Sequence, residues 1–165
     1  MFFTPEEQII RQNDIGDDMF FISMGDCVVS QIDYQRKNHD VMRLLTEGDH
    51  FGEIALIYKC KRTCTIISRN YNTMARITND RLRNVFNHYP SYKYLLENKI
   101  MNYKDPQQQF INSCIKRLPF VKKLSKQTIQ AMIYCLKRKS YESHSIIMKT
   151  GDDCDRILIV ENGLV

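Results

Sequence analysis

Residues 51–65, Phe-Gly-Glu-Ile-Ala-Leu-Ile-Tyr-Lys-Cys-Lys-Arg-Thr-Cys-Thr, constrain the fold more than any other stretch of the chain. A Gly52-Glu53 corner opens a short apolar turn, and Arg62 follows in an apolar and hydroxyl-bearing setting. Gly52 has no Cβ, so the backbone there can approach another group closely. Backbone N–H groups at the start of a one-turn helix face an anion. Arg62 offers a planar, permanently charged fork to two oxygens. Glu53 would repel a phosphate, but its carboxylate accepts hydrogen bonds from a sugar hydroxyl or from N–H groups. Together these residues predict a site for a phosphate carried on a ribose.

The run Phe51-Gly52-Glu53-Ile54-Ala55-Leu56-Ile57-Tyr58, followed by Arg62-Thr63-Cys64-Thr65, resembles the phosphate-binding cassette of cyclic nucleotide-binding domains. That family includes the regulatory parts of cAMP- and cGMP-dependent kinases, nucleotide-gated channels and bacterial catabolite activators. The resemblance implies a mainly β fold, an eight-stranded, jelly-roll-like β-roll with flanking helices. It also implies that cAMP or cGMP is held between the cassette and C-terminal B and C helices. By position, the N–H groups of Gly52, Ile54 and Ala55 would hold the cyclic phosphate and Arg62 would supply its countercharge. Glu53 would bind the ribose 2′-hydroxyl. Thr63 is the residue type associated with cGMP, whose guanine amino group its hydroxyl can meet, so the reading leans to cGMP over cAMP. Tyr92, Tyr94, Tyr103 or a helix leucine would stack on the purine, and plain packing is the simpler role for any one of them. The chain departs from kinase-type members at Lys59, Lys61 and Cys64, where Gly, Pro and Ala are usual.

A gapless shift of 138 residues superposes positions 3–27 on 141–165. Ile9 meets Ile147, Asp14 meets Asp152, Asp17 meets Asp155 and Gly25 meets Gly163. Phe20, Phe21 and Ile22 align with Leu158, Ile159 and Val160. Each copy reads as strand, polar turn, apolar strand, glycine turn and strand. The aspartates of 14–18 and 152–155 read as turn formers, since their spacing is not that of a calcium loop. Residues 1–104 are thus expected to form one nucleotide-binding domain whose leading helices are missing, with 105–117 a linker. Residues 118–165 would begin a second copy, cut before its cassette. The chain then reads as a piece of a larger protein.

Within the first copy, residues 33–40 read as a polar hairpin connection, and strands are expected near 63–68 and 74–77. Thr78 is placed to cap a helix carrying Leu82, Val85, Phe86 and Tyr89, which Pro90 ends. Ser91 is placed to cap the next helix, with Tyr92, Leu95, Leu96, Ile100 and Tyr103 along one face. Ser125 is expected to cap an amphipathic helix through Ile129, Met132, Ile133 and Leu136.

The net charge of +5, from 24 basic and 19 acidic residues, is scattered, which argues against a nucleic-acid surface. No apolar run approaches the ~20 residues that span a bilayer, and the first residues do not read as a signal peptide. The six cysteines form no C-x-x-C pair, so zinc is not expected. Cys27, Cys114 and Cys135 read as reduced core residues of a cytosolic chain. His39, His50, His88 and His144 read as loop or surface residues. No catalytic set is visible, neither a Walker loop, a kinase signature, a nucleophile elbow nor a metal-ligand cluster. The expectation is a cytoplasmic, non-enzymatic sensor without metal, controlling a linked effector. Phe86-Asn87-His88-Tyr89-Pro90 resembles the end of channel-type domains and favours a channel. Tandem copies favour a kinase regulatory region, and a degenerate interaction domain is the remaining alternative.

Overall fold

Alternation along the strands places apolar side chains between two sheets. In the computed structural model, which describes residues 1–33, 38–103, 106–137, 139–153 and 155–165, the chain divides into units Met1–Tyr103 and Lys104–Val165. The first unit holds β1 (Phe2–Phe3), β2 (Gln8–Ile10), β3 (Asp18–Met24), β4 (Cys27–Asp33), β5 (Asn38–Leu45) and β6 (His50–Phe51). After α1 (Glu53–Tyr58) come β7 (Thr65–Ser68) and β8 (Asn72–Thr78), then α2 (Asn79–His88) and α3 (Pro90–Met101). The strands form two four-stranded sheets, ordered β1-β8-β3-β6 and β2-β7-β4-β5, and all the pairings are antiparallel. The expected 33–40 connection is partly strand, because Asp33 pairs with Asn38. Residues 34–37 lie outside the described residues.

Phe3, Ile10, Phe20, Ile22, Cys27, Leu45, Phe51, Ile66 and Met74 form the core between the sheets. Each Phe, Ile, Leu and Met among them contributes about 1.5–3 kcal/mol by leaving water. The pairings that build this core are non-local. Phe21 of β3 meets Ala75 of β8 on one side and His50 of β6 on the other. A second cluster, Met19, Leu56 and Leu82 with Ile77 and Phe86, fastens α1 and α2 to the outer side of β3.

The helices depart from the expected pattern in detail. Thr78 is the N-cap of α2, but its side chain makes no capping hydrogen bond. Val85 and Tyr89 are exposed, so the buried face of α2 is narrower than its spacing suggests. Pro90 both stops α2 and starts α3. It occupies the first turn of α3, where its missing N–H costs nothing, Tyr89 is the N-cap, and Ser91 lies inside the helix. Tyr92 and Leu95, expected on the buried face, are each 59 % exposed, whereas Ile100 is fully buried. Apolar residues surround the first half of α3, so spacing alone did not single out the docked face.

The second unit begins with α4 (Pro106–Ile115), so most of the expected linker is helical. Lys104 and Asp105 lie outside the described residues. A 3₁₀ turn at Pro119–Lys123 leads to α5 (Lys126–Cys135). Ser125 caps α5 as expected, its hydroxyl accepting the Thr128 N–H at 3.1 Å. Ile115, Val121 and Ile133 form its core, with Ile159 packed against them.

Among the described residues of 139–165 there is no strand. The expected turns are nevertheless present, at the same offset of 138. Left-handed residues occur at Glu6, Asn13 and Gly25 in one segment and at His144, Gly151 and Gly163 in the other. The turn bonds from Glu7 N to Thr4 O and Asp14 N to Arg11 O, 3.2 and 3.3 Å, have counterparts from Ser145 N to Glu142 O and Asp152 N to Lys149 O, both 3.1 Å.

Two of the cysteine expectations change. Cys27 is buried, and burial followed by the charge of Asp26 pushes its thiol up to about 12. Cys135 is exposed and Cys114 only half-buried, because each lies at the margin of its helix's apolar face. Cys154 is outside the described residues.

Candidate functional site

Gly52 adopts φ 89°, ψ −5°, a left-handed conformation that turns β6 into α1 without a side-chain cap. A Cβ there would stand 2.8 Å from Arg62 Nη1 and 3.1 Å from the Asp18 carbonyl. The first N–H groups of α1 have no partner within the helix. Ala55 is buried and Ile54 half-buried behind them. The helix stops at Lys59, which is left-handed at φ 51°. This is a position that favours glycine, so the departure from the kinase-type residue falls where backbone freedom is needed.

Arg62 is 6 % exposed. Its Nη1 donates to the carbonyls of Asp18 (2.7 Å) and Gly52 (2.9 Å), and its Nη2 pairs with Asp18 Oδ1. These bonds occupy three of the five guanidinium donors. Asp18 Oδ2 in turn accepts Arg76 Nε at 2.6 Å. Main-chain bonds from Arg62 N to Asp14 O and from Asn13 N to Arg62 O, 2.8 and 2.9 Å, bind the 13–18 turn to the cassette. Gly16 completes the seat, since a Cβ on it would lie 1.9–2.5 Å from guanidinium atoms. Sequence reading took 13–18 for turn chemistry alone and missed Asp18 and Gly16. The cue was the acidic, glycine-containing turn that is laid beside an arginine almost 50 residues later.

Glu53 is 2 % exposed. Its Oε1 accepts the Tyr103 hydroxyl at 2.9 Å. Burial raises its carboxyl above the usual range, against the opposing effects of its own backbone N–H, Tyr103, Lys99 and Arg43. The Arg43 guanidinium lies over the Tyr103 ring, 5.4 Å from its centroid. Lys99 Nζ approaches His50 Nδ1 at 3.5 Å. His50 is half-buried on β6, contrary to its reading as a loop or surface residue, because its pairing with Phe21 draws it against β3. Burial, then Lys99, lower its pKa, while Asp49 opposes and Arg43 reinforces that shift.

The structure thus gathers Gly52, Glu53, Ile54, Ala55, Arg62 and Thr63 on one stretch, with Thr63 half-buried directly after the arginine and its carbonyl accepting Gln31 Nε2 at 3.4 Å. Of the tyrosines considered, Tyr103 reaches this cluster, whereas Tyr92 and Tyr94 are exposed. Among the described residues there is no trio of His, Cys, Asp or Glu able to hold a metal ion, and no helix long and apolar enough to cross a membrane.

The first unit thus combines a two-sheet β fold, a glycine-led turn and a buried arginine. Residues 1–89 match the family model described as cyclic nucleotide-binding domain, and the chain belongs to that family. It is 33% identical over 95 residues to potassium/sodium hyperpolarization-activated cyclic nucleotide-gated channel 2 of Mus musculus, covering 58% of this chain and 10% of that protein. It is 35% identical over 75 residues to a cGMP-dependent protein kinase of Plasmodium berghei, covering 46% of this chain and 8% of the kinase. The chain spans about a tenth of the length of the curated relatives it matches. Its fold is similar to that of the regulatory domain of Toxoplasma gondii PKA solved with cAMP, with TM-score 0.58 and 24% identity over 62% of this chain and 38% of that one.

Proposed function

We propose that the first unit is a sensor that binds cGMP or cAMP and controls a linked effector without catalysing a reaction. The observation that carries this reading is the buried Arg62, seated between Gly16 and Gly52 and oriented by Asp18. The cyclic phosphate would take the N–H groups of Gly52, Ile54 and Ala55 and the charge of Arg62. The ribose 2′-hydroxyl would donate to Glu53. Thr63 favours cGMP through the guanine amino group. No metal or other cofactor is required for this recognition. Binding energy shifts an equilibrium between two arrangements of the helices that follow the roll.

The full architecture would be an eight-stranded roll followed by the start of a second copy. Support for the second copy comes from the turns and left-handed residues repeated at the 138-residue offset. A channel-type effector is supported by the mouse channel, and a kinase effector by the Plasmodium relative. Either would place the module in the cytoplasm.

Calorimetric titration of the chain with cGMP and cAMP tests the reading. Arg62→Ala would leave the partly buried cyclic phosphate without its main countercharge, and losing one partner of such a pair costs ~3–5 kcal/mol. Affinity should fall by about two to three orders of magnitude. Equal affinity in parent and variant would sink the assignment of the phosphate site.

A further inference from the structure

The Glu53 carboxylate is almost sealed from solvent at 2 % exposure. A further donor therefore reaches it only by displacing a neighbour. Its own backbone N–H moves with it, so the exchangeable neighbour is Tyr103, whose hydroxyl sits 2.9 Å from Oε1. Tyr103 lies two residues beyond the end of α3 and is the last residue of the first unit. It is half-buried, and its ring is held by the Arg43 guanidinium.

We infer that Tyr103 is a latch on the ribose subsite, its hydroxyl holding the carboxylate oxygen that a ribose 2′-hydroxyl must take. This rests on the proposed role of Glu53. Nucleotide entry then exchanges one hydrogen bond for another at Glu53 and frees the residue that follows α3. Lys99 and Arg43 both act on Glu53, so the carboxylate has positive charge near it besides the tyrosine hydroxyl. A 2′-deoxy nucleotide would displace Tyr103 without replacing its bond, leaving a buried acceptor unpaired. The latch therefore sets the threshold for binding, and the carboxylate sets selectivity for ribose.

Tyr103→Phe keeps the ring and its contact with Arg43 but removes the hydroxyl. Calorimetry with cGMP, cAMP and 2′-deoxy-cAMP compares parent and variant. The variant should bind all three about tenfold more tightly, with the preference for ribose over 2′-deoxyribose unchanged. In nucleotide-free solution, amide exchange across residues 100–103 should accelerate in the variant. If the parent binds nucleotide and Tyr103→Phe binds equally or more weakly, the latch is wrong and the proposed function stands. If the parent binds neither cGMP nor cAMP, the proposed function fails and the latch falls with it.

Discussion

Residues 3–27 and 141–165 share a sequence pattern and the same turns, yet among the described residues only the first becomes sheet. Phe20 and Ile22 are 5 % and 2 % exposed, whereas Leu158 and Val160 at the same offset are 42 % and 51 % exposed. The turns agree because their chemistry is local: a left-handed residue and an i to i+3 bond need nothing from elsewhere. The strands differ because β2 and β3 receive their partners from β6, β7 and β8, tens of residues further along. Turn geometry is written locally, and strand formation is borrowed from distant sequence.

The largest expected contrast comes from paired truncations. Ile22→Ala should destabilise the first unit by about 2–5 kcal/mol, while Val160→Ala should stay within about 0.5 kcal/mol. Chemical denaturation measures both, and similar costs would mean that 156–160 is packed like β3. Next in size is Gly16→Cys, which gives the first segment the residue that the second carries at 154. A side chain there collides with the Arg62 guanidinium, so nucleotide affinity should drop about ten- to a hundredfold through loss of charge-assisted bonds. Titration showing unchanged affinity would break the link between the glycine and the arginine seat.

The smallest effect concerns His50, one of the partners that β3 receives. The fold lowers its pKa below 6.5, with Lys99 from α3 and Arg43 from β5 adding to burial and Asp49 opposing. As pH falls below about 6.5 the unfolded chain takes up the proton first, so stability present at higher pH is lost. The slope should not exceed about 1.4 kcal/mol per pH unit. In His50→Gln, thermal unfolding between pH 7.5 and 5 should lose that part of its pH dependence. An identical slope in parent and variant would remove His50 from the account.

What was legible in the sequence follows the same division. The cassette from Gly52 to Thr63 is contiguous, so its glycine, carboxylate and arginine could be named from one stretch. The strand around Met19–Ile22 announced itself as an apolar run between turn residues. The arginine seat was hidden because it is assembled across the chain: Asp18 and Gly16 look like turn residues until Arg62 is laid upon them. Tyr103 could be listed among purine-stacking residues, but its bond to Glu53 joins positions 50 residues apart and has no local signature. The exposure of Tyr92 and Leu95 was equally unreadable, because the first half of α3 is apolar on several sides.

Pro90 gives the helices a mechanical property. It cannot donate a backbone hydrogen bond, and Tyr89 before it is non-helical at φ −134°, ψ 72°, so α2 and α3 meet at a single non-helical residue. The 12 residues of α3 form a rod, about 18 Å long at 1.5 Å per residue. Swung about Tyr89 by roughly 10°, a lever of that length moves its far end by about 3 Å. That is the length of the Tyr103–Glu53 bond, 2.9 Å. A swing of that size at the proline joint would be enough to part the tyrosine from the carboxylate.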